Sequence, residues 1–162
     1  SLFKTNKNIV LDAGAISNFK GKLNTLKNII YGKNAVITPH EGELRSILPN
    51  LKGNCIDKAL KAASELNCIV VLKGATTVIA SPDNKAIVNC AGAKWLATAG
   101  SGDVLAGIIC GTLSNKMDSF LASAFSVWMH SEIGNYLGPG LVAEDIPENI
   151  NLIYKKLLKT TI

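Results

Sequence analysis

The chain has 162 residues, 48% of them apolar, and a formal net charge of +5, a length that sets one domain as the expectation and an apolar share sufficient for a sizeable core. No stretch reaches the roughly 18 consecutive apolar residues of a spanning helix, so a membrane is not an expected partner. Nucleic acid is not one either, because the lysines are scattered and Arg45 is the only arginine among 17 basic residues.

The first residues, Ser1 to Asn8, lack the apolar core of a signal peptide. Cys55, Cys68, Cys90 and Cys110 are far apart and form no Cys-x-x-Cys pair. Buried free thiols in a reducing cytoplasm are therefore expected. Asn8 to Asp12 reads as a short buried strand ending in a carboxylate. Leu23 to Ile30 reads as a helix with Leu23, Leu26 and Ile30 on one face. Ala35 to Thr38 is a second apolar strand, and Pro39 ends it.

Thr38-Pro39-His40-Glu41-Gly42-Glu43 then opens a helix just past a strand's carboxyl end, where open α/β sheets place ligands. His40 is read either as a cap or as a ligand contact. Glu43 could pair with Arg45 or close the helix start. Ile56 to Leu66 is amphipathic, with Ile56, Leu60 and Ala63 inward and Lys58, Lys61 and Glu65 outward. Cys68 to Leu72 is a third apolar strand, and Lys73 follows it directly rather than lying on a polar helix face. Val78 to Ala80 and Ala86 to Val88 flank a turn-rich loop and read as a hairpin.

Ala97 to Asn115 joins a small, glycine-containing loop to an apolar helix. Val104 and Ile108, and Leu105 and Ile109, recur at helical spacing. A glycine loop feeding a helix start exposes N–H groups at the positive end of the helix dipole, which suits an anion such as phosphate. The alternative is a simple N-cap, with Asp103 satisfying backbone N–H groups. The spacing fits neither a Walker A loop nor the dinucleotide fingerprint. Ser119 to Tyr136 is a long helix, expected between layers, with His130 as a satisfied core or helix-surface histidine. Gly138-Pro139-Gly140 breaks it, and a last helix starts with Asp145 as N-cap, carries Pro147 in its first turn and runs through Ile150 to Leu158. Apolar strands alternating with amphipathic helices predict an α/β fold with a largely parallel, helix-covered sheet. Asp12, His40, Lys73 and Asp103 would then converge on one sheet edge.

Taken together, these motifs resemble the ribokinase-like superfamily, and within it the ATP/ADP-dependent NAD(P)H-hydrate dehydratases. The residues that carry the resemblance are Thr38 to Glu43, Val71 to Ile79, Ala97 to Gly107, and His130, Gly134 and Asp145-Ile146. It implies a three-layer αβα fold with a mostly parallel sheet, in which residues 1–162 correspond to the C-terminal three-fifths of the family's domain, without its N-terminal strands. Asp12-Ala13-Gly14-Ala15-Ile16-Ser17 departs from the family's Asp-Ala-Asp-x-Leu-Asn, because the second carboxylate and the asparagine are replaced.

The resemblance implies repair of hydrated NADH or NADPH: ADP or ATP phosphorylates the ring hydroxyl, and phosphate then leaves. Asp103 would be the general base. Lys73, Gly74, Ala75, Thr76, Thr77, Gly100, Ser101 and Gly102 would bind nucleotide, and His40, Glu43 and Asp103 would bind the hydrate. Mg²⁺ would be held by water and phosphates rather than by a carboxylate cage. A cytoplasmic homo-oligomer is expected. The alternatives are a non-catalytic nucleotide-binding remnant or subunit, and a ribokinase-like small-molecule kinase.

Overall fold

A computed structural model of the chain describes residues 8–160; the signal-peptide reading of the first seven residues lies outside them. Five strands form one sheet: β1 (Ile9–Leu11), β2 (Ala35–Ile37), β3 (Ile69–Leu72), β4 (Thr77–Ala80) and β5 (Ala86–Asn89). They lie side by side in chain order. The β1–β2 and β2–β3 pairs are parallel, and β4 is antiparallel to both β3 and β5. Only β4 therefore runs against the other strands, so the sheet is mostly parallel, with the hairpin at one side.

The parallel strands are joined by helices on one face: α1 (Gly14–Ser17), α2 (Leu23–Ile30), α3 (Glu41–Ile47) and α4 (Cys55–Leu66). The period-two alternation of strand side chains divides the core cleanly. Ile37, Val70, Leu72 and Val78 pack with Ile16, Leu26, Leu44 and Ala63 from these helices. Val36, Ile69, Val71 and Ile79 point the other way. There they meet Leu105, Ile109 and Leu113 of α5 (Ser101–Ser114) and Ala122 and Val127 of α6 (Ser119–Leu137). Each fully buried aliphatic side chain contributes roughly 1.5–3 kcal/mol.

Helix α6 is sandwiched, as expected, which explains why it is apolar nearly all round. Its outer side carries Met129 and Ile133 into a further cluster with Ile146 of α7 (Asp145–Glu148) and Ile153 of α8 (Ile150–Thr160). Its serines stay satisfied inside: the Ser123 and Ser126 hydroxyls donate back to the Ser119 and Ala122 carbonyls, each at 2.7 Å.

Three details differ from the sequence reading. Ile56 is 36% exposed: the inward stripe of α4 is Ala59, Ala62, Ala63 and Leu66, and Ile56 precedes it in the helix's first turn. The final helix is broken at Asn149. Asp145 is not an N-cap; its carboxylate accepts from the Val142 N–H at 3.0 Å, and Glu144 holds the cap position. Of the cysteines only Cys68 is buried, its thiol pushed up to about 12 by desolvation, while Cys90 and Cys110 are exposed.

The turn after β1 is strained. Ala15 N–H donates to the Asp12 carbonyl at 3.0 Å, and between them Ala13 has φ 46° and ψ −120°. A type II′ turn wants glycine at that position. Strain of about 1–3 kcal/mol exceeds the ~0.5–1 kcal/mol entropic cost of glycine. Ala13→Gly is therefore expected to raise the unfolding free energy by about 1 kcal/mol, read from a denaturant titration.

Candidate functional site

The carboxyl ends of β1, β2 and β3 and the start of α5 meet at one edge. Pairing of β2 with β3 runs on past both strands. The Lys73 N–H donates to the Pro39 carbonyl at 2.8 Å, and His40 and Lys73 form an isolated parallel bridge. The proline that ends β2 thus leaves His40 beside Lys73.

His40 turns out to be a cap. Its Nδ1 accepts from the N–H groups of Gly42 (3.0 Å) and Glu43 (3.2 Å). The Glu43 carboxylate in turn accepts the His40 N–H at 2.9 Å, completing a capping box. The Glu43 side chain is only 10% exposed and serves the helix start; the rest of the His40 ring is 59% exposed and turned to the cavity.

The ammonium of Lys73 lies 2.6 Å from Asp12 Oδ1. The same oxygen lies 2.7 Å from the hydroxyl of Thr38, a residue with no exposed surface. On its other side Lys73 Nζ reaches the first turn of α5, where a Cβ added at Gly102 would come within 3.2 Å of it. Gly100 begins that helix with φ 85°, and a Cβ there would press on Ala143 at 3.1 Å. A side chain at position 100 would be strained by that φ and would crowd Ala143.

Ser101 is pinned from two directions. Its hydroxyl donates to the Leu96 carbonyl at 2.6 Å, and its carbonyl lies 3.0 Å from His130 Nε2. A carbonyl only accepts, so that nitrogen carries the proton. Burial pushes the His130 ring down to about 4, so it is neutral at pH 7. The expectation of a satisfied core histidine holds, and the ring also lines the cavity. Among the described residues the N–H groups of Gly102 and Asp103 donate to nothing. Asp103 is exposed in the first turn, and its carboxylate has no hydrogen bond or ion pair among those residues. It is not the N-cap; Gly100 is.

A cavity of about 580 Å³ opens between these elements. Lys73, Gly74, Ala75 and Thr77 line one wall, and Ser101 and Gly102 line the helix-start side. Thr76, Glu43, Gly100 and Asp103 are not on its lining; Asp103 stands on the turn that borders it. The sequence reading missed the opposite wall, Gly92, Ala93, Lys94, Leu96 and Ala97, together with Val127 and Ser131. Gly92 is the one available signal: a Cβ there would sit 2.7 Å from the Ala75 carbonyl oxygen, so the two walls touch through backbone. Gly134 plays the matching part under the second wall, where a Cβ would meet Leu96 Cγ at 2.7 Å and Ala93 Cβ at 2.9 Å. Helix propensity alone favours Gly134→Ala by ~1 kcal/mol, but overpacking costs about 1–3 kcal/mol. Gly134→Ala is therefore expected to lower the unfolding midpoint, measured by thermal denaturation, and to displace the 94–96 turn.

A mostly parallel sheet between helical layers, with a glycine-started helix and a strand-end lysine at its carboxyl edge, defines a ribokinase-like α/β protein. A ribokinase-like superfamily protein from Enterococcus faecalis superposes with a TM-score of 0.75 at 26% identity, over 91% of this chain and 52% of that one. The sequence profile of the NAD(P)H-hydrate dehydratase family matches residues 1–150, and the chain belongs to that family. It is 33% identical to the ADP-dependent (S)-NAD(P)H-hydrate dehydratases of Xanthomonas campestris and Neisseria meningitidis, over 92% and 96% of its own length. It spans about half of each relative, 52% and 56%. The ADP/ATP-dependent NAD(P)H-hydrate dehydratase of Bacillus subtilis, co-crystallised with ATP and Mg²⁺, superposes with a TM-score of 0.80 at 27% identity, over 96% of this chain and 57% of that one. No helix among the described residues is long and apolar enough to cross a membrane.

Proposed function

We propose that this chain carries out the ADP- or ATP-dependent dehydration of hydrated NADH and NADPH. One observation carries the reading: a helix start with two free N–H groups and a lysine ammonium set beside its first turn line one cavity, and an unpaired carboxylate borders it. Family membership supports the same chemistry.

In this proposal Lys73 to Thr77 hold the nucleotide, and the free N–H groups of Gly102 and Asp103 stabilise charge on the transferring phosphoryl group. The Asp103 carboxylate takes the proton of the ring hydroxyl as its oxygen bonds to phosphorus, and AMP or ADP leaves. The ring nitrogen's lone pair then expels phosphate. Loss of a proton from the neighbouring ring carbon regenerates the dihydronicotinamide. His40 contacts the hydrate through its open ring edge, and Glu43 acts behind it by fixing the cap.

Mg²⁺ would accompany the nucleotide and neutralise its phosphate oxygens. Lys73 and the Gly102 helix start on the cavity lining suit the phosphates that would carry the ion. A cytoplasmic homo-oligomer is part of the same reading, and the exposed apolar side chains Leu121, Tyr154 and Leu158 support association.

A second reading, nucleotide binding without turnover, is favoured by Gly14. It stands where the resembled family pattern has a carboxylate, and a Cβ there would meet nothing within 4 Å. Calorimetric titration with ADP and ATP tests what the two readings share. Saturable binding that raises the unfolding temperature is expected. No heat and no thermal shift would overturn both.

A further inference from the structure

We propose that Asp12 is a positioning residue for the nucleotide: it holds the ammonium of Lys73 at the first turn of α5, facing the phosphoryl group. The proposal rests on the nucleotide reading of the cavity and adds a residue to it. Three observations converge on Asp12. Its Oδ1 receives both Lys73 Nζ, at 2.6 Å, and the Thr38 hydroxyl, at 2.7 Å. The two charged side chains are only 11% and 21% exposed. The turn that follows Asp12 keeps Ala13 at φ 46°, a strained conformation that persists only where the surroundings over-determine it.

The physical need for such an anchor comes from α5. A helix start carries positive partial charge, so an unanchored ammonium on a flexible stem would swing away from it whenever no anion is bound. Asp12 offsets that repulsion and keeps Nζ against Gly102, where a Cβ would lie only 3.2 Å away. An ammonium has three donors. One serves Asp12, and the others are available to phosphate oxygens. Asp12 itself touches no ligand and acts through Lys73 alone.

The test is calorimetric titration of ADP into the wild-type chain, Asp12→Asn, Lys73→Met and the double variant, with folding confirmed by circular dichroism. Asn keeps an acceptor for Thr38 but removes the charge. Asp12→Asn is expected to weaken ADP about tenfold, yet to change affinity less than twofold when added to Lys73→Met. Asp12→Glu, which keeps the charge, should recover part of the loss and covers the case in which Asn unfolds the chain. Unaltered ADP affinity in Asp12→Asn would overturn the proposal. So would the same loss on both backgrounds, since that marks a merely structural role. Wild-type chain that binds no ADP would overturn the nucleotide reading and this proposal with it, whereas wild-type binding with Asp12→Asn unaffected overturns the role of Asp12 alone.

Discussion

Replacing Asp103 with Asn is expected to lower nucleotide-dependent turnover by about 100- to 10,000-fold, the range that a positioned general base supplies. ADP binding should be equal or slightly tighter. The carboxylate is exposed and makes no hydrogen bond or ion pair among the described residues, so its removal breaks no structural contact. Loss of a first-turn acid costs the helix under about 1 kcal/mol, and Asn is nearly isosteric. Asp103 anchors no cationic side chain among the described residues, so removing its charge beside bound phosphates only relieves repulsion. Steady-state rates and calorimetry on the same preparation check the two halves. Equal turnover in the variant would remove Asp103 from the chemistry.

Acidification is expected to destabilise the fold through His130. Its folded value lies at about 4, below its ordinary 6.5, because burial disfavours the charged ring more strongly than the Ser101 carbonyl favours it. Between those two values the unfolded chain binds a proton that the folded chain does not. Stability therefore rises with pH across this window and is lost as pH falls from 6.5 towards 4. The full difference is on the order of 3 kcal/mol. Glu41 and Asp83 are held below the ordinary carboxylate range, each first by a hydrogen bond, from Lys58 and Lys85 respectively, so their contribution falls below most of this window. Denaturant titrations from pH 7 to pH 4.5 should show the loss, and His130→Gln, which keeps a donor but does not titrate, should flatten it. Protonation leaves the Nε2–H bond to the Ser101 carbonyl in place, so the lost stability comes from desolvation of the charged ring.

The elements that were legible in the sequence are those whose periodicity is one-sided. The strands are short apolar runs that end at Asp12, Pro39 and Lys73, and α5 splits its Val104–Ile108 and Leu105–Ile109 pairs between two clusters. Convergence of Asp12, His40 and Lys73 followed from parallel strands and holds. What stayed hidden depends on three-dimensional contact. Asp12 and Lys73 are 61 residues apart, and nothing local announces that they pair. The wall of Gly92, Ala93, Lys94, Leu96 and Ala97 meets the Ala75 wall through backbone, and that contact carries no motif. Ile56 satisfies an amphipathic pattern but sits before the helix reaches the sheet, and the break at Asn149 interrupts a pattern that reads as one helix.

The most direct measurement is recovery of reduced-nicotinamide absorbance from hydrated NADH by the wild-type chain, with and without ADP or ATP. The proposed function predicts nucleotide-dependent recovery, with phosphate released in step with NADH. A folded chain that binds ADP but regenerates no NADH with either nucleotide would contradict it and leave a nucleotide-binding chain without turnover.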